Sequence, residues 1–238
     1  MSNQVKKILI IHGWGSEAKK WQKVKEELEK AGFEVFIPDL PGFDITPPPP
    51  QVWGAKEYSF WVKDYIKNKI SDKFILIGHS FGGAIALNLL SQMPEKVEKL
   101  ILCAPAILRT RKRKTTLTKK IVKTLRKFIK WHTPKSIQRA LSKFLGNYDY
   151  YKAKGIMKEV FKKVIQEKWA HLLKEINCPT LLIWGEQDKL VPPKEGEILK
   201  KMMKNSELIV LKDVGHNPYL DCPETLAQKI IEFVKSNL

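Results

Sequence analysis

The sequence predicts an α/β fold: a doubly wound, mostly parallel sheet with a long helical insertion between two of its core strands. Three observations predict it. Apolar runs at about 7–11, 33–37, 73–78, 99–103, 180–184 and 207–211 are near-continuous, as expected of parallel strands covered on both faces. Helical patterns alternate with them at about 17–31, 57–69, 82–93, 195–203 and 223–236. Gly78-His79-Ser80-Phe81-Gly82-Gly83 then stands between the apolar run Phe74-Ile75-Leu76-Ile77 and the helix-like Ala84-Ile85-Ala86-Leu87. That is a Gly-x-Ser-x-Gly turn from strand to helix, which points a serine hydroxyl out of the top of a sheet.

The first run, Ile8-Leu9-Ile10-Ile11, delivers His12-Gly13-Trp14-Gly15. In the helix that follows, Trp21, Val24 and Leu28 recur at helical spacing, and Gly32 reads as its stop. After the run at 33–37 come Asp39-Leu40-Pro41-Gly42, then Phe43-Asp44-Ile45-Thr46, then four prolines at 47–50. Proline fixes φ and removes a donor, so this is a stiff connector of polyproline II character. Its position leaves open whether Trp53 is simply part of the connector or sits at the mouth of a site. The run at 99–103 ends at Cys103, which reads as a buried, inert thiol. Two further runs end in polar loops. Leu181-Leu182-Ile183-Trp184 delivers Gly185-Glu186-Gln187-Asp188, and Leu208-Ile209-Val210-Leu211 is followed by Asp213-Val214-Gly215-His216-Asn217. The last helix opens at Pro223-Glu224, with proline in its first turn. No internal repeat is found.

Length and composition bound the class. A chain of 238 residues can bury a full core as one domain. Its 43% hydrophobic and 29% charged residues are ordinary for a soluble globular protein. No apolar run approaches the roughly 20 residues needed to span a bilayer. The N-terminus enters the first strand too soon to be a signal peptide. The three cysteines, Cys103, Cys178 and Cys222, lack paired spacing, which argues against a disulfide framework and for a cytoplasmic location. No metal-ligand spacing is present, and no cofactor is expected.

Ser80, an acid at 186 or 188 and His216 follow one another in that order, each just past a predicted strand. With the His-Gly loop at 12–15, this strongly resembles the α/β-hydrolase family over essentially the whole chain. The resemblance implies a nucleophile Ser80, a general base His216 and an orienting Asp188, with Glu186 as the competitor that family spacing disfavours. It implies an oxyanion hole from the backbone N–H groups of Trp14 and Phe81, whose side chains would then line the acyl pocket as substrate-binding residues. Of the other histidines, His12 reads as structural in its loop and His79 as packed within the elbow. His132 and His171, in the insertion, read as solvent or core residues. Relatives often continue the 39–42 segment with Gly-x-Ser; this chain does not, so substrate contacts inferred for that loop do not carry over.

The resemblance also makes residues 105–176 a lid over the serine, with 1–104 and 177–238 as the hydrolase core. The lid carries most of the charge imbalance. Fourteen Lys and Arg lie within 109–143, with no acid there, against a net charge of +18 for the whole chain. Leu117, Ile121, Leu125 and Phe128 form one face of a basic amphipathic helix. A lysine-rich solvated surface accounts for this equally with recruitment of an acidic carrier protein or an anionic membrane face. Nucleic acid is disfavoured, because no binding motif is present. The pimeloyl-carrier-protein methyl ester esterases, a branch that this chain resembles, supply the idea of a carrier docked on a basic lid.

A serine at the elbow speaks against the relatives that use Asp there. The expectation is therefore a serine carboxylesterase acting by an acyl-enzyme on a small-molecule ester of small to medium acyl chain. Carbon–carbon bond or acyl-thioester hydrolysis with the same triad is the alternative. A non-catalytic binding protein working through the basic lid is the alternative of another class, and four intact site elements argue against it.

Overall fold

The computed structural model describes residues 5–108 and 153–236, so the basic run 109–143, its amphipathic stretch 117–131 and His132 lie outside the described residues. Among the described residues, six strands form one sheet: β1 Lys7–Ile11, β2 Glu34–Phe36, β3 Phe74–His79, β4 Val97–Cys103, β5 Thr180–Gly185 and β6 Ser206–Leu211. Their order is β2-β1-β3-β4-β5-β6, and every neighbouring pair is parallel. The chain steps from β1 outward to β2, then returns past β1 to β3. The crevice at the carboxyl ends of β1 and β3 is thus a topological switch point, where open α/β sheets bind ligands.

The described helices are α1 Gln22–Lys30, α2 Ala55–Ile66, α3 Phe81–Gln92, α4 Met157–Val164, α5 Lys194–Met202, α6 Pro218–Asp221 and α7 Pro223–Lys235. A 3-10 turn, Ala18–Trp21, leads into α1, and another, Ala170–Glu175, precedes β5. Side chains alternate along each strand, so the continuous apolar runs split between two cores. Ile8, Ile10, Ile75, Ile77, Ile101 and Ile183 face α1 and α7, against Val24, Leu28, Leu226 and Ile230. Leu9, Ile11, Leu76, Leu100, Leu102 and Leu182 face the opposite layer, against Tyr58, Val62, Ile85 and Leu199. Each such side chain contributes about 1.5–3 kcal/mol relative to exposure.

Among the described residues, the strands expected from the sequence and the helices expected outside the insertion are present, with ends shifted by a few residues. The stop at Gly32 is explained by its φ of +92°, which only glycine adopts without strain. α2 begins two residues earlier than its periodicity suggests. Its first N–H groups are met by carboxylates: Gly54 N–H donates to Glu57 Oε2 at 2.6 Å and Ala55 N–H to Glu167 Oε2 at 3.0 Å. The second cap comes from more than a hundred residues away, which no local pattern reveals. α4 lies within the insertion expected to be helical, whereas α6 had no expected counterpart. Among the described residues, no helix is long and apolar enough to cross a membrane.

α3 crosses β1 closely. A Cβ on Gly82 would lie 2.1 Å from the Ile11 carbonyl oxygen and 2.6 Å from that of His12. In an ordinary helix, Gly→Ala is favourable by about 1 kcal/mol. Here the new methyl meets backbone that cannot turn away. Gly82→Ala should therefore destabilise the fold by about 1–3 kcal/mol. Thermal or denaturant unfolding reads the sign directly, and a more stable variant would mean that the crossing is slack.

Candidate active site

Ser80 occupies the turn between β3 and α3. Its φ of 52° and ψ of −114° put a non-glycine residue in a strained backbone region. The strain sits on the serine itself; neither Gly78 nor Gly82 has a positive φ. The glycines serve close approach instead. A Cβ on Gly78 would lie 2.7 Å from the Gly82 oxygen and 2.8 Å from the Gly83 Cα. The turn is pinned from outside, with Ser80 N–H donating to the Cys103 oxygen (3.0 Å) and Ala106 N–H to the Ser80 oxygen (2.9 Å).

Parallel pairing carries the ends of β3, β5 and β6 to one edge of the sheet, and with them Ser80, Asp188 and His216. Ser80 Oγ lies 3.0 Å from His216 Nε2, and His216 Nδ1 lies 2.6 Å from Asp188 Oδ2. The Asp188 side chain is fully buried. Its other oxygen accepts the N–H groups of Leu190 (2.8 Å) and Val191 (2.9 Å). A buried carboxylate with three donors is satisfied as the anion. It therefore orders the imidazole with Nδ1 protonated and Nε2 free to accept the serine proton. Such a chain can move a proton from Oγ to Nε2 while the oxygen attacks an electrophile.

Glu186 is exposed and turned elsewhere, its Oε2 accepting Asp213 N–H at 3.3 Å. The two loops are locked together beneath His216. A Cβ on Gly185 would lie 2.1 Å from the Gly215 oxygen, and Gln187 N–H donates to the Val214 oxygen at 2.8 Å.

The loop after β1 lies on the other side of Ser80. A Cβ on Gly13 would stand 3.1 Å from the Ser80 Cβ, and the Trp14 and Phe81 rings meet at 5.9 Å. Phe81 is the first residue of α3, where a backbone N–H has no partner in the preceding turn. His12 fixes this loop. Fully buried, it donates Nδ1–H to the Gly13 oxygen (2.9 Å) and accepts Leu40 N–H at Nε2 (3.1 Å). Both contacts suit the neutral ring, and burial pushes its pKa below the ordinary value.

Trp14 is boxed by rings that the sequence reading did not single out: Phe43 at 5.0 Å and, from α4, Phe161 at 5.0 Å. Behind Phe81, Tyr58 follows at 5.4 Å and Trp53 a further 5.4 Å on. Trp53 thus connects to the site's rings through Tyr58. His79 is buried beside His216, whereas His171 is exposed against Trp169. Burial drives the Cys103 thiol up to about 12, which leaves it inert. Among the described residues, no group of His, Cys, Asp and Glu is disposed to hold a metal ion. The missed aromatic partners carry no motif of their own; only the amphipathic spacing of α4 could have drawn attention to Phe161.

Known proteins are similar to this chain in sequence and in fold. The model of the family described as serine aminopeptidase, S33, a hydrolase family, matches residues 2–223. A pimeloyl-[acyl-carrier protein] methyl ester esterase of Neisseria meningitidis serogroup A is 27% identical over 257 residues, covering 100% of this chain and 80% of the relative. One from Legionella pneumophila is 27% identical over 246 residues, covering 96% and 95%. Among solved structures, an esterase from Exiguobacterium antarcticum superposes with a TM-score of 0.75 at 22% identity, covering 97% of this chain and 92% of that one, which shows a common fold. The chain belongs to the serine aminopeptidase S33 family of α/β-hydrolases, and it is an enzyme of the hydrolase class.

Proposed function

We propose that the protein hydrolyses a carboxylic ester through an acyl-enzyme, with Ser80 as nucleophile, His216 as base and then acid, and Asp188 as the group that orients it. The observation that carries this reading is the unbroken contact chain from Oγ to Nε2 at 3.0 Å and from Nδ1 to the buried carboxylate at 2.6 Å. As Oγ attacks the ester carbonyl carbon, its proton passes to Nε2. The backbone N–H groups of Trp14 and Phe81 would receive the negative oxygen that forms. Collapse breaks the ester C–O bond, and the leaving alkoxide takes the proton from His216. Water then attacks the acyl-enzyme, giving its proton to Nε2, and Ser80 is regenerated as the acid departs.

The ring cluster of Trp14, Phe43, Phe81 and Phe161 supports an acyl group of small to medium size. Curated relatives named as pimeloyl-[acyl-carrier protein] methyl ester esterases support an ester whose acyl chain hangs from an acidic carrier protein. In that reading, residues 105–176 form the lid and the basic run 109–143 is the carrier's docking face.

The deciding test is a fluorophosphonate probe. Ser80 should be the residue phosphonylated, and Ser80→Ala should lower kcat about a million-fold. An adduct on another residue by mass spectrometry, or an active Ser80→Ala enzyme, would defeat the mechanism. Asp188→Asn should keep the fold and lower kcat about ten-thousand-fold through the wrong histidine tautomer, whereas Glu186→Gln should leave it within about twofold. A reversal of these two results would make Glu186 the orienting acid.

A chain-length panel should show higher kcat/KM for p-nitrophenyl butyrate than for the palmitate. Each methylene of misfit is worth only about 1–3 kcal/mol, so efficient palmitate hydrolysis would mark a wider pocket. Replacing Lys119, Lys123, Arg126 and Lys130 with Gln should slow turnover of a carrier-bound ester at low salt and spare p-nitrophenyl acetate. Equal kinetics on both substrates would reduce the basic run to a solvated face.

A further inference from the structure

His79 lies between Gly78 and Ser80 in the chain, yet its ring touches two other loops of the site. Its Nε2 stands 2.9 Å from the backbone oxygen of His216, a contact between residues 137 apart in sequence. The ring centroids of the two histidines are 4.9 Å apart. On its other edge, a Cβ on Gly13 would meet His79 Nδ1 at 2.8 Å, so the loop that bears Trp14 runs flat against the ring. Tyr219 and Trp21 close the box. Tyr219 packs edge-on to His79 at 5.0 Å and stacks on Trp21 at 4.4 Å. The Tyr219 hydroxyl donates to Asn217 Oδ1 at 3.2 Å and accepts from Ser16 Oγ–H at 3.1 Å, tying the same two loops together.

A carbonyl oxygen can only accept, so Nε2 must carry the proton of His79. The ring is neutral with that single N–H, since burial first and the neighbouring imidazole second push its pKa down to about 3. His79 therefore keeps this donor, and the bond, well below neutral pH. It holds main chain rather than side chain. The carbonyl it grips belongs to the residue whose imidazole must stay near 3.0 Å from Oγ.

We propose that His79 is a positioning residue: its Nε2–H, donated to the His216 carbonyl, sets the seat of the His216 imidazole relative to Ser80. This inference rests on the Ser80–His216–Asp188 reading above. A misplacement of about 1 Å can cost roughly a hundred-fold in rate without altering substrate affinity. The effect should therefore fall on kcat and spare KM.

The experiment compares His79→Phe, which keeps an aromatic ring and removes the donor, with His79→Gln, whose amide nitrogen reaches about as far as Nε2. Both are assayed on p-nitrophenyl butyrate, with thermal melting recorded alongside. His79→Phe should lower kcat about ten- to a hundred-fold with KM within about twofold, and His79→Gln should recover most of the loss. Phosphonylation of Ser80 by the probe should slow in the same order. Equal kcat for wild type, Phe and Gln would overturn the proposal. So would equal losses in two folded variants, because the donor would then be irrelevant. If His79→Phe does not fold, His79→Asn replaces it, its shorter amide falling short of the carbonyl. An inert Ser80→Ala enzyme alongside unaffected His79 variants would defeat this inference alone, whereas an active Ser80→Ala enzyme would defeat the triad beneath it.

Discussion

The closeness with which α3 crosses the ends of β1 and β3 governs the whole carboxyl edge of the sheet. Backbone oxygens of Ile11 and His12 stand where a Gly82 side chain would be, and the Gly82 oxygen stands where one on Gly78 would be. That proximity forces the chain through the turn at Ser80 with φ of 52°. The cost of such a backbone is about 1–3 kcal/mol, sustained only where the surroundings over-determine it. Here they do: the turn is bonded to Cys103 and Ala106, and α3 is buried along nearly its whole length. The lost stability is exchanged for a hydroxyl that projects above the sheet.

Once the elbow is placed, the other polar groups of the site each have a reason for their state. Burial would ordinarily expel a carboxylate's charge, yet Asp188 accepts two backbone N–H groups besides the imidazole. His12 and His79 are buried without a carboxylate at hydrogen-bond distance, and both are held neutral. Three histidines thus lie close to Ser80 with different jobs. His12 fastens the loop of Gly13 to Leu40, and His79 meets the His216 main chain. His216 hydrogen-bonds a carboxylate and faces the serine. The division follows from environment rather than residue type.

Several side chains fasten the described end of the insertion to the core. Met157 fills the space over Gly42, Phe161 packs on Trp14, and Glu167 caps α2 while Lys163 pairs with Glu57 at 3.1 Å. The last pair is half-exposed and contributes little by itself. The apolar contacts matter more, because they join α4 to the same tryptophan that flanks Ser80. The size of any pocket there is therefore decided jointly by the first loop of the chain and by the returning insertion.

By itself the sequence determined the architecture and the short roster of candidate residues. Buried parallel strands must read as continuous apolar runs, and a strand-to-helix elbow needs glycine at close approaches, so both leave local signatures. The order of serine, acid and histidine, each just past an apolar run, was equally legible. Glu186 and Asp188 could not be separated by local chemistry, since both are carboxylates in one loop. Only the packing of Gly185 on Gly215 turns one inward to His216 and leaves the other on Asp213. The early start of α2, the ring of Phe161 on Trp14 and the bond from His79 to His216 were decided by tertiary structure alone. Each joins residues about a hundred or more positions apart, and no periodicity records which distant side chain a fold brings into contact.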